Sequence, residues 1–319
     1  MAQVYGTLPQ QSLGADGPRV SRIALGCMGL SGTWDPSAVG EENIRRAIAA
    51  FEAALEVGIN FFDHADIYGG GSCESVFKEC LKAVPGSREK IVIATKCGIR
   101  SGFYNLTRSY ILEALGKSLY RLGVEYIDLY QLHRPDPLAH PAETARALNE
   151  LLRQGRIRAV GVSNYYPEQI RALQEYLDAP IRSNQISISL MRLEPIYEGW
   201  ELGGMGVGDG TLDQCMAMRM TPLAYSPLAG GKLARPPADS DSPRLKAVYS
   251  EMVKQAQKYN CTPTQIALAW LLRHPSGIIP IVGSVNPEHI REAAGAVNVN
   301  LSREDWYALW TASWGRRVP

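Results

Sequence analysis

Apolar residues recur along the chain in two alternating patterns, one at helical spacing and one in short compact runs. Between residues 41 and 57, Ile44, Ala47, Ile48, Phe51, Ala54 and Leu55 form one stripe, the spacing of an amphipathic helix. Gly58 ends it, and the run 58–62 reads as a buried strand. The couplet repeats. A helix over 107–122, opened by the cap candidate Thr107 and closed by Gly123, feeds an apolar run at 126–132; a helix over 141–153, ending near Gly155, feeds 157–162. Further strands are expected at 22–26, 91–95, 182–186, 221–225 and 277–282.

These segments make about eight strands, each followed by a helix or a helix-bearing loop, the number that closes a (β/α)₈ TIM barrel. The α/β alternation fits a doubly wound open sheet equally well. No Pro/Ser-rich linker or change of composition divides residues 1–319, so a single domain is expected, with a hairpin-like N-terminal extension and a long loop near residues 195–210.

With 319 residues, 45% hydrophobic content and a net charge of +1, the chain is long enough for a large core and has no global attraction to nucleic acid. No basic-then-apolar leader opens it and no apolar run spans a bilayer, so a cytoplasmic location without a membrane partner is expected. The six cysteines contain no Cys-x-x-Cys pair and no zinc-finger spacing with histidine, so no metal is expected. Buried reduced thiols are the expectation, with Cys27, directly after the first barrel strand, near a pocket.

Two motifs resemble known signatures without matching them. The glycine-rich 203–210 stretch offers no register for the dinucleotide fingerprint and follows no strand. Gly161-Val162-Ser163 lacks the second glycine of a nucleophile elbow, since Tyr165 stands there, and Ser163 reads as a hydrogen-bonding residue.

Asp63, Tyr68, Lys96 and His133 each follow one of the apolar runs. Carboxyl ends of parallel strands meet on one rim, so residues spread over seventy positions converge. Each alone has a bland reading as loop cap, surface ring, solvated charge or core histidine. Together they form a proton-handling group: a buried Lys96 needs a carboxylate, which Asp63 is placed to supply. Lys96 beside Tyr68 is expected to lower the phenol's pKa from about 10 and make it a proton donor, while His133 orients a carbonyl oxygen. The set contains no electron source, so a hydride donor has to come from a cofactor.

The stretches Phe61-Phe62-Asp63-His64-Ala65-Asp66-Ile67-Tyr68-Gly69, Ala94-Thr95-Lys96, Leu129-Tyr130-Gln131-Leu132-His133-Arg134-Pro135-Asp136, Gly161-Val162-Ser163-Asn164, Asn184-Gln185 and 224–231 resemble, in order, the signatures of the aldo-keto reductase superfamily. Residues 209–213 and 315–319 resemble its bacterial YdhF-like branch. The resemblance covers essentially the whole chain. It implies a (β/α)₈ barrel and reversible NAD(P)H-dependent reduction of a small-molecule aldehyde or ketone. By matching positions, Tyr68 is the acid, Lys96 and Asp63 tune it and His133 orients the carbonyl. Ser163, Asn164 and Gln185 hold the carboxamide, Tyr225 stacks on the nicotinamide, and Ser226, Leu228 and Gly230 line the pyrophosphate path. The cofactor contacts extend to Gly26, Cys27 and Met28, to Lys232, and to Gly283, Ser284, His289 and Glu292.

The chain departs from the family at two places. Many members carry lysine at the position of Gly283 and arginine at that of His289, both gripping the 2′-phosphate of NADP. This sequence keeps only Ser284, which leaves NADP favoured and NAD as the alternative. The second departure is an insert at 198–207, containing Trp200, which reads as a lid facing Trp34 across the substrate pocket or as loop decoration. A catalytically idle, cofactor-sensing barrel of the same superfamily is the competing functional reading.

Overall fold

The computed structural model describes residues 8–197 and 210–317. A hairpin of β1 (Gln10–Ser12) and β2 (Arg19–Ser21) precedes the barrel. β3 (Ala24–Gly26), α1 (Glu41–Glu56), β4 (Phe61–Asp63), α2 (Ser72–Ala83) and β5 (Val92–Cys97) follow, then a small hairpin of β6 (Ile99–Arg100) and β7 (Phe103–Tyr104). The chain continues through α3 (Arg108–Leu122), β8 (Leu129–Leu132), α4 (Pro141–Arg153), β9 (Val160–Ser163), α5 (Pro167–Gln174), β10 (Ile181–Ser187), α6 (Glu194–Tyr197) and α7 (Thr211–Ala217). It ends with β11 (Thr221–Tyr225), α8 (Pro243–Tyr259), α9 (Pro263–Leu272), β12 (Ile279–Val282), α10 (Pro287–Ala294) and α11 (Arg303–Trp314). Strands β3, β4, β5, β8, β9, β10, β11 and β12 pair in that order and β12 closes onto β3 in parallel, which excludes the open sheet.

Side-chain alternation sorts each strand into two faces. Ala24, Phe61, Val92, Ala94, Leu129, Leu223 and Ile279 fill the barrel, whose core also takes in Leu13 of the N-terminal hairpin and Val20 of β2. Leu25, Phe62, Ile93 and Tyr130 face outward into the helix layer. There Phe51, Phe62 and Phe77 meet with ring centroids 5.1–5.3 Å apart, and each such burial contributes about 1.5–3 kcal/mol. A separate cluster on the C-terminal half centres on Trp270, stacked on Trp306 at 5.1 Å, each indole N–H donating to the other's carbonyl. Gly161 faces the interior at a close approach: a Cβ there would lie 2.3 Å from Ser183 Oγ and 3.0 Å from Gln131 Cγ.

The structure shifts several expected boundaries. Asp63 and Lys96 lie within strands rather than after them. Each stands two residues beyond an interior apolar position, Phe61 and Ala94, and their mutual pairing lets the strand continue through a charged residue. The run at 157–162 starts as an isolated bridge from Ile157 to Ile127, and the regular strand begins at Val160. Thr107 occupies the position before α3, but its hydroxyl bonds Asn105 Oδ1 at 2.8 Å and does not cap the helix. Five cysteines are buried and Cys261 is half-buried, all as free thiols. No helix among the described residues is long and apolar enough to cross a membrane. Trp200 and the 198–207 insert lie outside the described residues.

Candidate active site

The inward-facing side chains change from apolar to polar one layer above the barrel core. Phe61 is followed on the same face by Asp63, Ala94 by Lys96, and Leu129 by Gln131. Lys96 is fully buried, and its ammonium donates to Asp63 Oδ1 at 2.8 Å, Asp63 Oδ2 at 2.7 Å and the His64 carbonyl at 2.7 Å. The Tyr68 hydroxyl lies 3.4 Å from the same nitrogen. Burial opposes the ammonium, but Asp63 and Tyr68 outweigh it and hold the Lys96 pKa above its ordinary value.

Tyr68 lies in a short 3₁₀ turn beyond β4. Gly69 and Gly70, which follow it, both adopt left-handed φ, +57° and +64°, which favours glycine. His133 directly follows β8, its ring edge-on to Tyr68 with centroids 6.0 Å apart. The four residues converge as expected, but the phenol's electrostatics differ from expectation. Burial raises the Tyr68 pKa, and the nearby Lys96 charge only partly offsets this. Burial, Lys96 and Arg134 depress His133 to about 3. Near neutral pH the pocket therefore presents a protonated phenol, a neutral imidazole and a buried ammonium.

A second network adjoins the first. Ser163 Oγ donates to the Gln185 carbonyl at 2.9 Å, Asn164 Nδ2 to Ser163 Oγ at 2.8 Å and to the His133 carbonyl at 3.3 Å, and the Tyr225 hydroxyl to Asn164 Oδ1 at 3.0 Å. Gln185 Nε2 donates to Asp63 Oδ1 at 2.8 Å and joins the two networks. Asn164 and Ser226, each just past a strand, have φ of +60° and +51°, a strain that non-glycine residues keep mainly at functional positions.

The remaining expected residues lie at or after the ends of β3, β11 and β12. Gly26 ends β3, where a Cβ would be 3.7 Å from Gly283 Cα, so the turns after β3 and β12 adjoin. Cys27 is buried, and desolvation, then Asp63, push its thiol pKa well up. Met28 and Trp34 are exposed, as are Gly230 and Lys232, whereas Leu228 and Glu292 are half-buried. Ser284 Oγ lies 3.3 Å from His289 Nδ1 and accepts from the Asn286 backbone N–H at 3.2 Å. Asn286 caps α10 with Pro287 at its first position. Arg291 is engaged by Glu56 at 2.6 Å and Glu288 at 2.7 Å, which balances its charge.

Sequence reasoning passed over Gln131, whose Nε2 is 3.4 Å from Asp63 Oδ1 and whose Oε1 accepts from Ser183 Oγ at 3.4 Å. Its position two residues after the interior Leu129 is a signal that was readable. The His64 carbonyl, a backbone partner of Lys96, leaves no trace in residue type.

Residues 22–312 match the model of the "Aldo/keto reductase family". The chain belongs to this family. A "6-dehydroglucose reductase" of Novosphingobium aromaticivorans is 40% identical over 97% of both chains. "Oxidoreductase YdhF" of Escherichia coli is 34% identical over 97% of this chain and 98% of its own. A second "6-dehydroglucose reductase", from Agrobacterium fabrum, is 35% identical over 95% and 98%. Among solved structures, the thermostable aldo-keto reductase Tm1743 in complex with the inhibitor epalrestat superposes with a TM-score of 0.80 at 27% identity, covering 96% of this chain and 100% of its own. This aldo/keto reductase is therefore an oxidoreductase enzyme of a carbonyl-reducing, nicotinamide-using family and takes a small-molecule substrate.

His64 gives this barrel an acid sensitivity. Its ring is fully buried with no hydrogen-bond partner at either nitrogen, packed edge-on against Phe77 at 4.5 Å. Burial depresses its pKa from 6.5 to about 3. Between those values the unfolded chain binds a proton that the folded one refuses, so the contribution of His64 to stability is full above pH 6.5 and falls by about 1.4 kcal/mol per pH unit below it. Urea unfolding at pH 7.5 and pH 5 should show His64→Leu narrowing the stability gap by about 2 kcal/mol; an unchanged gap would show that His64 is not the sensor.

Proposed function

We propose that this aldo/keto reductase reduces an aldehyde or ketone to an alcohol, with the proton supplied by Tyr68. The observation that carries the reading is the fully buried Lys96 ammonium between the Asp63 carboxylate and the Tyr68 hydroxyl. A raised phenol pKa keeps Tyr68 protonated until a developing alkoxide draws the proton away. Lys96 then stabilises the phenolate left behind, so its charge counts most in the transition state. Neutral His133 keeps an N–H available to hold the carbonyl oxygen without competing as a strong acid.

NADPH, when bound, would supply the hydride. The donors and acceptors at Ser163, Asn164 and Gln185 suit a carboxamide, and the Tyr225 ring, tethered through its hydroxyl to Asn164, suits one face of the nicotinamide. Ser226, Leu228, Gly230 and Lys232 would line the pyrophosphate path. Gly26, Cys27, Met28, Gly283 and Glu292 would flank the cofactor at the β3 and β12 ends, and Ser284 with the α10 N-terminus would take the 2′-phosphate. With Arg291 already paired, little fixed positive charge remains there, so preference for NADPH over NADH is modest. The substrate would lie toward Trp34, an exposed ring in the loop after β3. The names of the two 6-dehydroglucose reductases make a glucose derivative with an aldehyde at C6 the first substrate to assay.

Tyr68→Phe should lower kcat by at least about 100-fold, the scale of general acid catalysis, while NADPH affinity by fluorescence titration stays within a few-fold. Near wild-type kcat in this variant would remove Tyr68 from the reaction. At the far end of the cofactor, His289→Arg should tighten NADPH binding about tenfold or more without changing NADH, a charge-assisted contact being worth about 1.5–3 kcal/mol. Equal gains for both cofactors would place the 2′-phosphate elsewhere.

A further inference from the structure

The segment from Asp63 to Tyr68 wraps around Lys96. Asp63 and the His64 carbonyl hold the ammonium, the Asp66 backbone N–H donates to the Lys96 carbonyl at 3.0 Å, and the Tyr68 N–H donates to the Ala65 carbonyl at 3.1 Å. The Asp66 side chain leaves this wrap and meets α3, where the Tyr110 hydroxyl donates to its Oδ2 at 3.0 Å. Asp66 Oδ1 is buried with no hydrogen-bond partner. A carboxylate that has room for about four hydrogen bonds is thus kept in a place that costs folding free energy, and nothing in the proton transfer from Tyr68 uses it.

We propose that Asp66 is a positioning residue for Tyr68: its carboxylate, tied to Tyr110, anchors the turn that carries the phenol above Lys96, and loss of the charge loosens that turn. The inference rests on Tyr68 being the proton donor. A charged acceptor makes a hydrogen bond roughly twice as strong as a neutral one, so the anchor is strongest when Asp66 is ionised. Facing it are Tyr110 and Arg121 from α3, Glu74 from α2, Arg100 from β6, Cys97 from β5 and Tyr130 from β8. Arg100 also lies over the Tyr110 ring at 5.5 Å. Glu74 is committed to Thr95 at 2.7 Å and Arg121 at 2.6 Å, which draws much of the Arg121 charge away from Asp66. Burial consequently prevails and raises the Asp66 carboxyl to about 6.

The sign for stability is opposite to that for activity. Because the folded chain binds the Asp66 proton more readily than the unfolded one, the ionised form costs stability at neutral pH, and that cost shrinks as pH falls below about 6 and is gone below 3.8. A residue kept only for structure would lose stability and activity together. Asp66→Asn should instead be at least as heat-stable as wild type at pH 7.5, yet turn over an aromatic aldehyde such as 4-nitrobenzaldehyde about fivefold more slowly. Wild-type kcat should fall along an acid limb near pH 6, and Asp66→Asn should lack that limb.

The readout independent of turnover is tyrosine-ring NMR of the full chain, with the Tyr68 signal assigned by its loss in Tyr68→Phe. The Tyr68 signal should move with a midpoint near pH 6 in wild type and stay fixed in Asp66→Asn, and Tyr110→Phe should reduce the movement even if Asp66→Asn does not fold. A Tyr68 signal that ignores pH between 5 and 8 in wild type, or an Asp66→Asn profile that retains the acid limb, overturns the inference. A wild type that reduces no aldehyde counts against the reductase reading instead, and the NMR midpoint still decides whether Asp66 governs Tyr68.

Discussion

The site depends on one buried ion pair. A lysine at zero exposure near the end of a strand is tolerable only because every ammonium hydrogen has a nearby acceptor: two oxygens of Asp63 and the carbonyl of His64. Removing one partner from such a pair costs about 3–5 kcal/mol, so the pair holds the turn around Lys96 as firmly as it holds charge. Gln185 and Gln131 both direct amide N–H groups toward the same Asp63 oxygen, which ties the carboxylate to the opposite side of the barrel. Geometry in the second polar network is thereby linked to geometry at Tyr68 through a single side chain.

Burial sets the protonation states around that pair. It drives the Tyr68 phenol up, depresses His133 and His64 to about 3, and raises Asp66 to about 6. In each case desolvation is the largest cause, and the fixed charges modify it. Lys96 is better understood as limiting the cost of forming a phenolate in a dry pocket than as making Tyr68 acidic at rest. This places its contribution in the transition state, where electrostatic preorganisation has its largest effect.

Much of this was legible in the sequence, for physical reasons. The helix stripe ending at Gly58 and the apolar runs repeated along the chain reflect a barrel whose strands are buried on both faces, and Asp63, Lys96 and His133 stand out as polar residues where such runs end. Strand starts were less legible, as at residues 157–159, because an apolar residue is equally at home in the connection below the barrel. The direction of the Tyr68 shift depends on how far burial outweighs a neighbouring charge, a balance of distances that no spacing encodes. The His64 carbonyl and the Asp66–Tyr110 contact, 44 positions apart, arise from the path of one turn and from the packing of α3 against it. Residue types alone do not specify either.

The central claim is that the Lys96 charge acts on the phenolate as it forms. The direct measurement is the single-turnover rate of carbonyl reduction by Lys96→Met with saturating NADPH, compared with wild type across pH and set beside the cofactor affinity of both. The account predicts a rate lower by at least about 100-fold, with cofactor affinity changed only a few-fold. A rate within tenfold of wild type and an unchanged pH profile would contradict it.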